Sequence, residues 1–347
     1  MRINLGQSFR ISMTIVGTTI GAGFASGREI WEFFGSYGEQ GRVGIFLSMV
    51  LYFAASVIIL HIGWKKRTHH YSEVLQVVIG PKLARYFDGF MILSLLTGVL
   101  VMVAGSGATL EQWNGSFTLG TLLMAGAVVL VLLFDLKGIL SLNTILMPVL
   151  SVILLLVCLQ GLLSGGETAG PADTEPEGIL FPVWPSAITY AAFNMISLLA
   201  VLSTMGSQIR HPAEIWIACL LGASCLAGIA GLYNASLLKV SHLISQYNIP
   251  LFALIRDYST IWNLIISLVL WFAIYTTAVS NMHGLVFRIA DRFPYPRWAV
   301  GLVIMVALVP LSQWGFVPLV QLLYPLYGVL NLFLFTLFLL YPFSEER

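Results

Sequence analysis

Two short stretches carry residue types whose chemistry is out of keeping with their surroundings. In VGTTIGAGFASGR, Val16 to Arg28, four glycines (Gly17, Gly21, Gly23, Gly27), two threonines and a serine fall inside an otherwise apolar run. Glycine weakens a helix by about 1 kcal/mol relative to alanine, and in lipid every freed backbone group must find a partner inside the protein. In WFAIYTTAVSNMHG, Thr276, Thr277 and Ser280 bring hydroxyls, and no carboxylate, into apolar company. Each stretch admits two readings. The glycines form two small-xxx-small pairs, Gly17 with Gly21 and Gly23 with Gly27, suited to close helix packing. Alternatively they form an unwound hinge, with carbonyls turned to a cation and a half-helix starting near Ala22 aiming its positive end at an anionic group. The hydroxyls either bond their own backbone four residues back or join carbonyl oxygens around a hard monovalent cation held at modest affinity.

The elements that position these stretches are membrane helices. Of 347 residues, 58% are hydrophobic and 10% charged, outside the range of globular domains. Apolar runs of crossing length recur at about 8–34, 42–64, 86–111, 117–135, 139–164, 186–208, 213–240, 260–289, 296–313 and 317–342, which predicts ten spans in a single transmembrane domain, 1–347. With the N-terminus inside, only Arg28, Arg42, Lys239 and Arg256 of the 17 Lys and Arg fall outside, so both termini are expected in the cytoplasm. The loop 165–184, with Glu167, Asp173, Glu175 and Glu177 and no Lys or Arg, is expected outside. The first span runs on through Arg28, Glu29 and IWEFF, unlike a cleaved signal.

Residues 68–85 contain an amphipathic piece expected to lie along the inner face. Residues 241–259 are semi-apolar and suit a short helical cap or a partly re-entrant loop, with a lid as one use of it and a plain interfacial loop as the alternative. Cys158, Cys219 and Cys225 lie in apolar runs and read as packing residues, and no histidine has ligand spacing with a carboxylate or Cys. The near-zero net charge of +1 gives no ground for a nucleic-acid partner. An intramembrane enzyme would need a nucleophile with a base, or a metal cluster, and the spans offer neither.

Ten spans divide into two sets of five, about 8–164 and 186–342, with spans 1 and 6 in equivalent places. Span 6 holds Asn194, Ser197, Ser203, Thr204 and Gly206 and is expected to be interrupted like span 1. Two interrupted helices at matching positions are the mark of an inverted-repeat transporter with its solute near the midplane. Arg28, Glu29 and Glu32 fall on the outer half of span 1, and Glu111 ends span 3 on the same side. The cost of a lone charge near lipid motivates an outer gate of Arg28 with Glu111 or Glu32, the alternative being Arg28 at headgroup level.

GTTIGAGFASGREIWEFF and FAIYTTAVSN resemble the YkvI-type bacterial membrane proteins and, beyond them, the leucine-transporter (LeuT) fold of sodium-coupled amino-acid, hydantoin and related symporters. The opening of span 5, KGILSLNTILMPVL with Pro148, is also similar to that fold's fifth helix. The resemblance implies an all-α integral membrane protein of the bacterial inner membrane, of about ten helices in two inverted five-helix repeats, helices 1 and 6 interrupted. It implies one sodium site, with carbonyls at Gly17, Ile20 and Ala273 and hydroxyls at Thr276 and Thr277. It places solute contacts at Ala22 and Gly23, with Gly21 beside them, and in helix 6 at Phe193, Asn194 and the nearby Ser197. Phe24 stands where the amino-acid symporters place the Asn of a second sodium site, so that site is not expected.

The function implied is symport of a small, amino-acid-like organic solute by alternating access, coupled to Na⁺ and needing no enzymatic cofactor. The absence of a Lys inside span 5 favours Na⁺ over H⁺. A proton-coupled or uncoupled carrier, and a transporter-fold small-solute sensor or receptor subunit, are the alternatives. The partners expected are the solute and the lipid bilayer, and the sequence does not set an oligomeric state.

Overall fold

The computed structural model describes residues 4–68, 70–134, 138–163, 182–290 and 294–344, which are predominantly helical. Lys137 and the acidic residues of the 165–184 loop, Glu167, Asp173, Glu175 and Glu177, lie outside the described residues.

Span 1 is three pieces. Asn4 caps α1 (Leu5–Thr19) by accepting from Gln7 N at 3.1 Å. The helix stops at Ile20 and Gly21, whose ψ angles of 75° and −172° leave the helical region. Next come α2 (Ala22–Ala25), a turn at Gly27 with φ 79°, and α3 (Arg28–Phe33). A side chain at Gly27 would suffer the left-handed backbone penalty, and a Cβ there would stand 2.5 Å from Tyr233 Oη.

The remaining helices are α4 (Gln40–Lys66), α5 (Tyr71–Glu111), α6 (Phe117–Phe134), α7 (Gly138–Leu163), α8 (Val183–Met205), α9 (Pro212–Lys239), the short α10 (Ser241–Ile244) and α11 (Pro250–Leu254), α12 (Thr260–Ile289), α13 (Arg297–Ser312) and α14 (Phe316–Ser344). A kink at Gly80, φ 77°, just before Pro81, sets the amphipathic residues 71–79 apart from the rest of α5. Seven described helices are long and apolar enough to cross a membrane: α4, α5, α6, α8 with the turn after it, α9, α12 and α14. The broken span 1 and the shorter apolar helices of α7 and α13 fall where further spans are expected.

Span 6 corrects an expectation. α8 runs unbroken from Val183 to Met205. Two of its polar side chains serve their own helix: Asn194 Nδ2 donates to Tyr190 O at 3.1 Å and Thr204 Oγ1 to Val201 O at 2.8 Å. Gly206, just past its end, is there for packing, because a Cβ would collide with the Gly63 backbone of α4.

The helices form two groups. α1, α4, α8 and α9 pack on one another, as do α5, α6, α12 and α13. α14 bridges the groups through α8 and α5, and α7 bridges them through α9 and α12. Spans 1, 2, 6 and 7 thus make one body and spans 3, 4, 8 and 9 the other. α10 and α11 fold over the end of the bundle where span 1 finishes, with Pro250, Leu251, Phe252 and Ala253 buried.

Candidate functional site

The break in span 1 frees backbone polarity deep in the bundle. In a continuous helix Gly21 N would bond Gly17 O; it turns to Thr19 O at 2.8 Å instead, and the next helical bond is Ala25 N to Gly21 O at 2.9 Å. The carbonyls of Gly17, Thr18 and Ile20 and the N–H groups of Ala22, Gly23 and Phe24 are thereby left without helical partners. The break is held from several sides. Thr19 Oγ1 bonds Tyr52 Oη of α4, Tyr233 Oη of α9 donates to Ala25 O at 3.0 Å, Ser26 Oγ donates to Gly23 O at 2.7 Å, and Leu251 N of α11 donates to Ser26 O at 3.0 Å.

The four glycines divide between the two readings. No atom lies within 4 Å of where a Cβ of Gly17 or Gly21 would stand, so neither serves close packing. Gly23 and Gly27 are tightly covered, and a Cβ on Gly23 would collide with Glu29 Oε1 and lie 3.0 Å from Tyr324 Oη.

Among the sodium candidates, Ile20, Ala273 and Thr276 are buried, Thr277 is half-buried and Gly17 is exposed. Thr276 Oγ1 and Thr277 Oγ1 both donate to Ala273 O, at 3.1 and 2.8 Å. Each hydroxyl keeps its lone pairs for a cation while satisfying its proton. α12 meets span 1 at α2.

Among the solute candidates, Ala22, Gly23 and Asn194 are buried, Gly21 and Phe193 are half-buried, and Ser197 is exposed. Phe193 stacks on Tyr324 of α14, ring centroids 4.6 Å apart, and on Phe33 of α3 at 6.2 Å. Phe33 in turn meets the edge of Tyr190 at 5.1 Å. The amide of Asn194 is committed to the Tyr190 carbonyl, and the Tyr190 hydroxyl, fully buried, makes no hydrogen bond.

Of the two partners expected for Arg28 at an outer gate, Glu111 or Glu32, the structure pairs it with Glu32. Arg28, only 5% exposed, pairs one turn along its own helix with Glu32 at 2.6 Å, and Gln321 Nε2 supports Glu32 at 3.1 Å. Glu111 is exposed and accepts from Asn248 Nδ2 at 2.8 Å. The i,i+4 spacing favours Glu32, whereas Glu111 reaches water and a polar amide. Beyond the spans, burial pushes the Tyr37 phenol above its ordinary range, against the opposing pull of its hydrogen bond with Ser186.

The sequence reading attached no role to Glu29, Tyr190 or Tyr324. The signal for Glu29 was charge parity: α3 carries one cation and two carboxylates, and Arg28 spends itself on Glu32.

An all-helical membrane bundle with its first span broken between two helical groups is the LeuT fold. The solved structures agree. The complex of MhsT with L-phenylalanine superposes with a TM-score of 0.62 at 17% identity, covering 94% of this chain and 88% of that one. The inward-facing conformation of Mhp1 gives 0.66 at 14% identity, with 96% and 75% covered, and the Eremococcus coleocola manganese transporter bound to an aromatic bis-isothiourea compound gives 0.55 at 13%, with 99% and 87% covered. No family model matches the sequence. YyaD of Bacillus subtilis (strain 168) is 37% identical over 334 residues, covering 96% of both chains, and the membrane protein YkvI of the same organism is 27% identical over 342 residues, covering 96% of this chain and 95% of its own. The chain belongs to the family of YyaD, with YkvI a more distant relative, and is itself a multi-pass membrane protein with the LeuT fold.

Proposed function

We propose that this protein is a secondary active transporter that moves a small, amino-acid-like organic solute by alternating access, coupled to Na⁺, with its spans arranged as inverted repeats over about 8–164 and 186–342. The observation that carries the reading is the break at Ile20–Gly21: it frees carbonyls and N–H groups at a place where polar backbone is tolerated only to line a cavity or hold a ligand. In this mechanism Na⁺ binds the carbonyls of Gly17, Ile20 and Ala273 and the hydroxyls of Thr276 and Thr277. It thereby ties span 1, in one helical group, to α12 in the other. The solute lies against Gly21, Ala22 and Gly23 and against Phe193 and Asn194 of α8, with Ser197 on its path. Rocking of one group against the other about the bridging α7 and α14 exposes the two sites to each side in turn. The names of the matched structures, a phenylalanine complex among them, support a transported small solute. Uptake in proteoliposomes tests the reading: the double substitution Thr276→Ala, Thr277→Ala is expected to abolish sodium dependence, and wild-type sodium dependence in that variant rules the cation site out.

A further inference from the structure

Glu29 is 7% exposed and, among the described residues, has neither a hydrogen-bond partner nor an ion pair. Its neighbour Arg28 is taken by Glu32, so the outer part of span 1 holds one cation against two carboxylates. Such an imbalance in a buried site is relieved either by a proton on the unpaired carboxyl or by a positive charge from outside the chain, and the second is what a solute can bring. Glu29 Oε1 lies directly over Gly23, where Tyr324 Oη also arrives. From Tyr324 a run of rings continues through Phe193, stacked on it, to Phe33 and Tyr190, and the buried Tyr190 hydroxyl has no hydrogen-bond partner among the described residues. Tyr52, Tyr190 and Tyr324 all stand within electrostatic reach of the Glu29 carboxylate. A carboxylate with a tyrosine hydroxyl beside it is a setting for a positively charged nitrogen, drawn by the carboxylate and able to meet both oxygens. It also disfavours a solute that presents only a carboxylate at Gly23, because a second anion there would face the first.

We infer that the solute site takes a molecule carrying a positively charged nitrogen, an ammonium or quaternary ammonium group, and that Glu29, with the Tyr324 hydroxyl beside it, holds that group. The inference rests on the proposed solute site and specifies its substrate class.

Thermal unfolding of the purified full-length protein, at constant ionic strength and with and without Na⁺, tests it. The probes are tetramethylammonium, choline, ethanolamine and putrescine, set against the neutral isosteres 3,3-dimethylbutan-1-ol for choline, ethane-1,2-diol for ethanolamine and butane-1,4-diol for putrescine. At least one cation is expected to raise the unfolding temperature while its isostere does not. Glu29→Gln, nearly identical in shape, is expected to need about 10- to 100-fold more of that cation, as loss of a hydrogen bond to a charged group implies. Tyr324→Leu, which keeps the carboxylate and removes a ring, is expected to weaken binding less. No response to any of the four cations, an isostere as effective as its cation, or equal responses in Glu29→Gln and wild type overturns the inference. Sodium-driven uptake of an uncharged solute that survives Glu29→Gln would overturn it and leave the transporter reading standing. Cation binding that depends on Glu29, with no uptake in proteoliposomes, would uphold the inference and overturn the transporter reading.

Discussion

Span 1 and α8 lie side by side in the same helical group, and both carry residues poor at holding a helix. In span 1 the weak residues are glycines, and the helix breaks at Ile20–Gly21 and turns again at Gly27. In α8 they are Asn194, Ser197, Ser203 and Thr204, and the helix is continuous. A glycine supplies no atom to replace a lost backbone contact, whereas Asn194 and Thr204 return their own polar groups to the turn before them. The two helices therefore differ in what they can offer a ligand: span 1 offers backbone, and α8 offers the ring of Phe193 and the polar edge of Asn194.

The largest expected effect sets the charges of span 1 against the uncharged interior of α8. Arg28→Gln leaves Glu29 and Glu32 buried without a cation, and stability is expected to fall by about 3–5 kcal/mol in unfolding experiments. Asn194→Leu, which gives up one local hydrogen bond, is expected to cost less than about 1.5 kcal/mol. A loss below about 0.5 kcal/mol for Arg28→Gln would place Arg28 at headgroup level and remove the buried pair from the account.

Next come the glycines held by packing. Gly27→Ala must accept a positive φ and push Tyr233 Oη away, for an expected loss of about 2–4 kcal/mol. Gly206→Ala, at the end of α8, meets only the steric part, the Gly63 backbone, and is expected to lose about 1–3 kcal/mol. Thermal unfolding checks both, and a loss below about 1 kcal/mol for Gly27→Ala would mean that the left-handed turn there contributes nothing.

Much of this was legible in the sequence because it depends on local properties. Run length and hydropathy located the helices, and the cluster of glycines from Gly17 to Gly27 located the break. An amphipathic piece within 68–85 was readable from polarity, whereas 241–259 stayed open between a helical cap and a loop until the structure showed two short helices there. Span 6 was misread because the sequence shows that Asn194 and Thr204 are polar but not which way they bond, and that choice depends on whether neighbouring helices offer something better. Glu29 went unread for a related reason. Its lack of a partner becomes visible only once Arg28 has settled on Glu32 and α14 has brought Tyr324 to Gly23. The same holds for the glycine pairs, in which Gly17 and Gly21 face open space while Gly23 and Gly27 are covered, a difference made by the neighbours.

The smallest expected effect bears most directly on why span 1 breaks. Gly21→Ala adds a methyl group where no atom stands within 4 Å, at φ −95°, a backbone conformation open to alanine. Alanine is the better helix former by about 1 kcal/mol, so the substitution pulls locally toward closing the break. Four hydrogen bonds pull the other way, from Tyr52 to Thr19, Tyr233 to Ala25, Leu251 to Ser26 and Ser26 to Gly23. At about 1 kcal/mol each, their sum exceeds the local preference. The break is therefore expected to survive Gly21→Ala, with stability changed by less than about 1 kcal/mol and the amide hydrogens of Ala22, Gly23 and Phe24 exchanging as fast as in wild type. If those hydrogens became protected, the glycine itself would be holding span 1 open, and α8 would be continuous simply because no glycine stands at its centre.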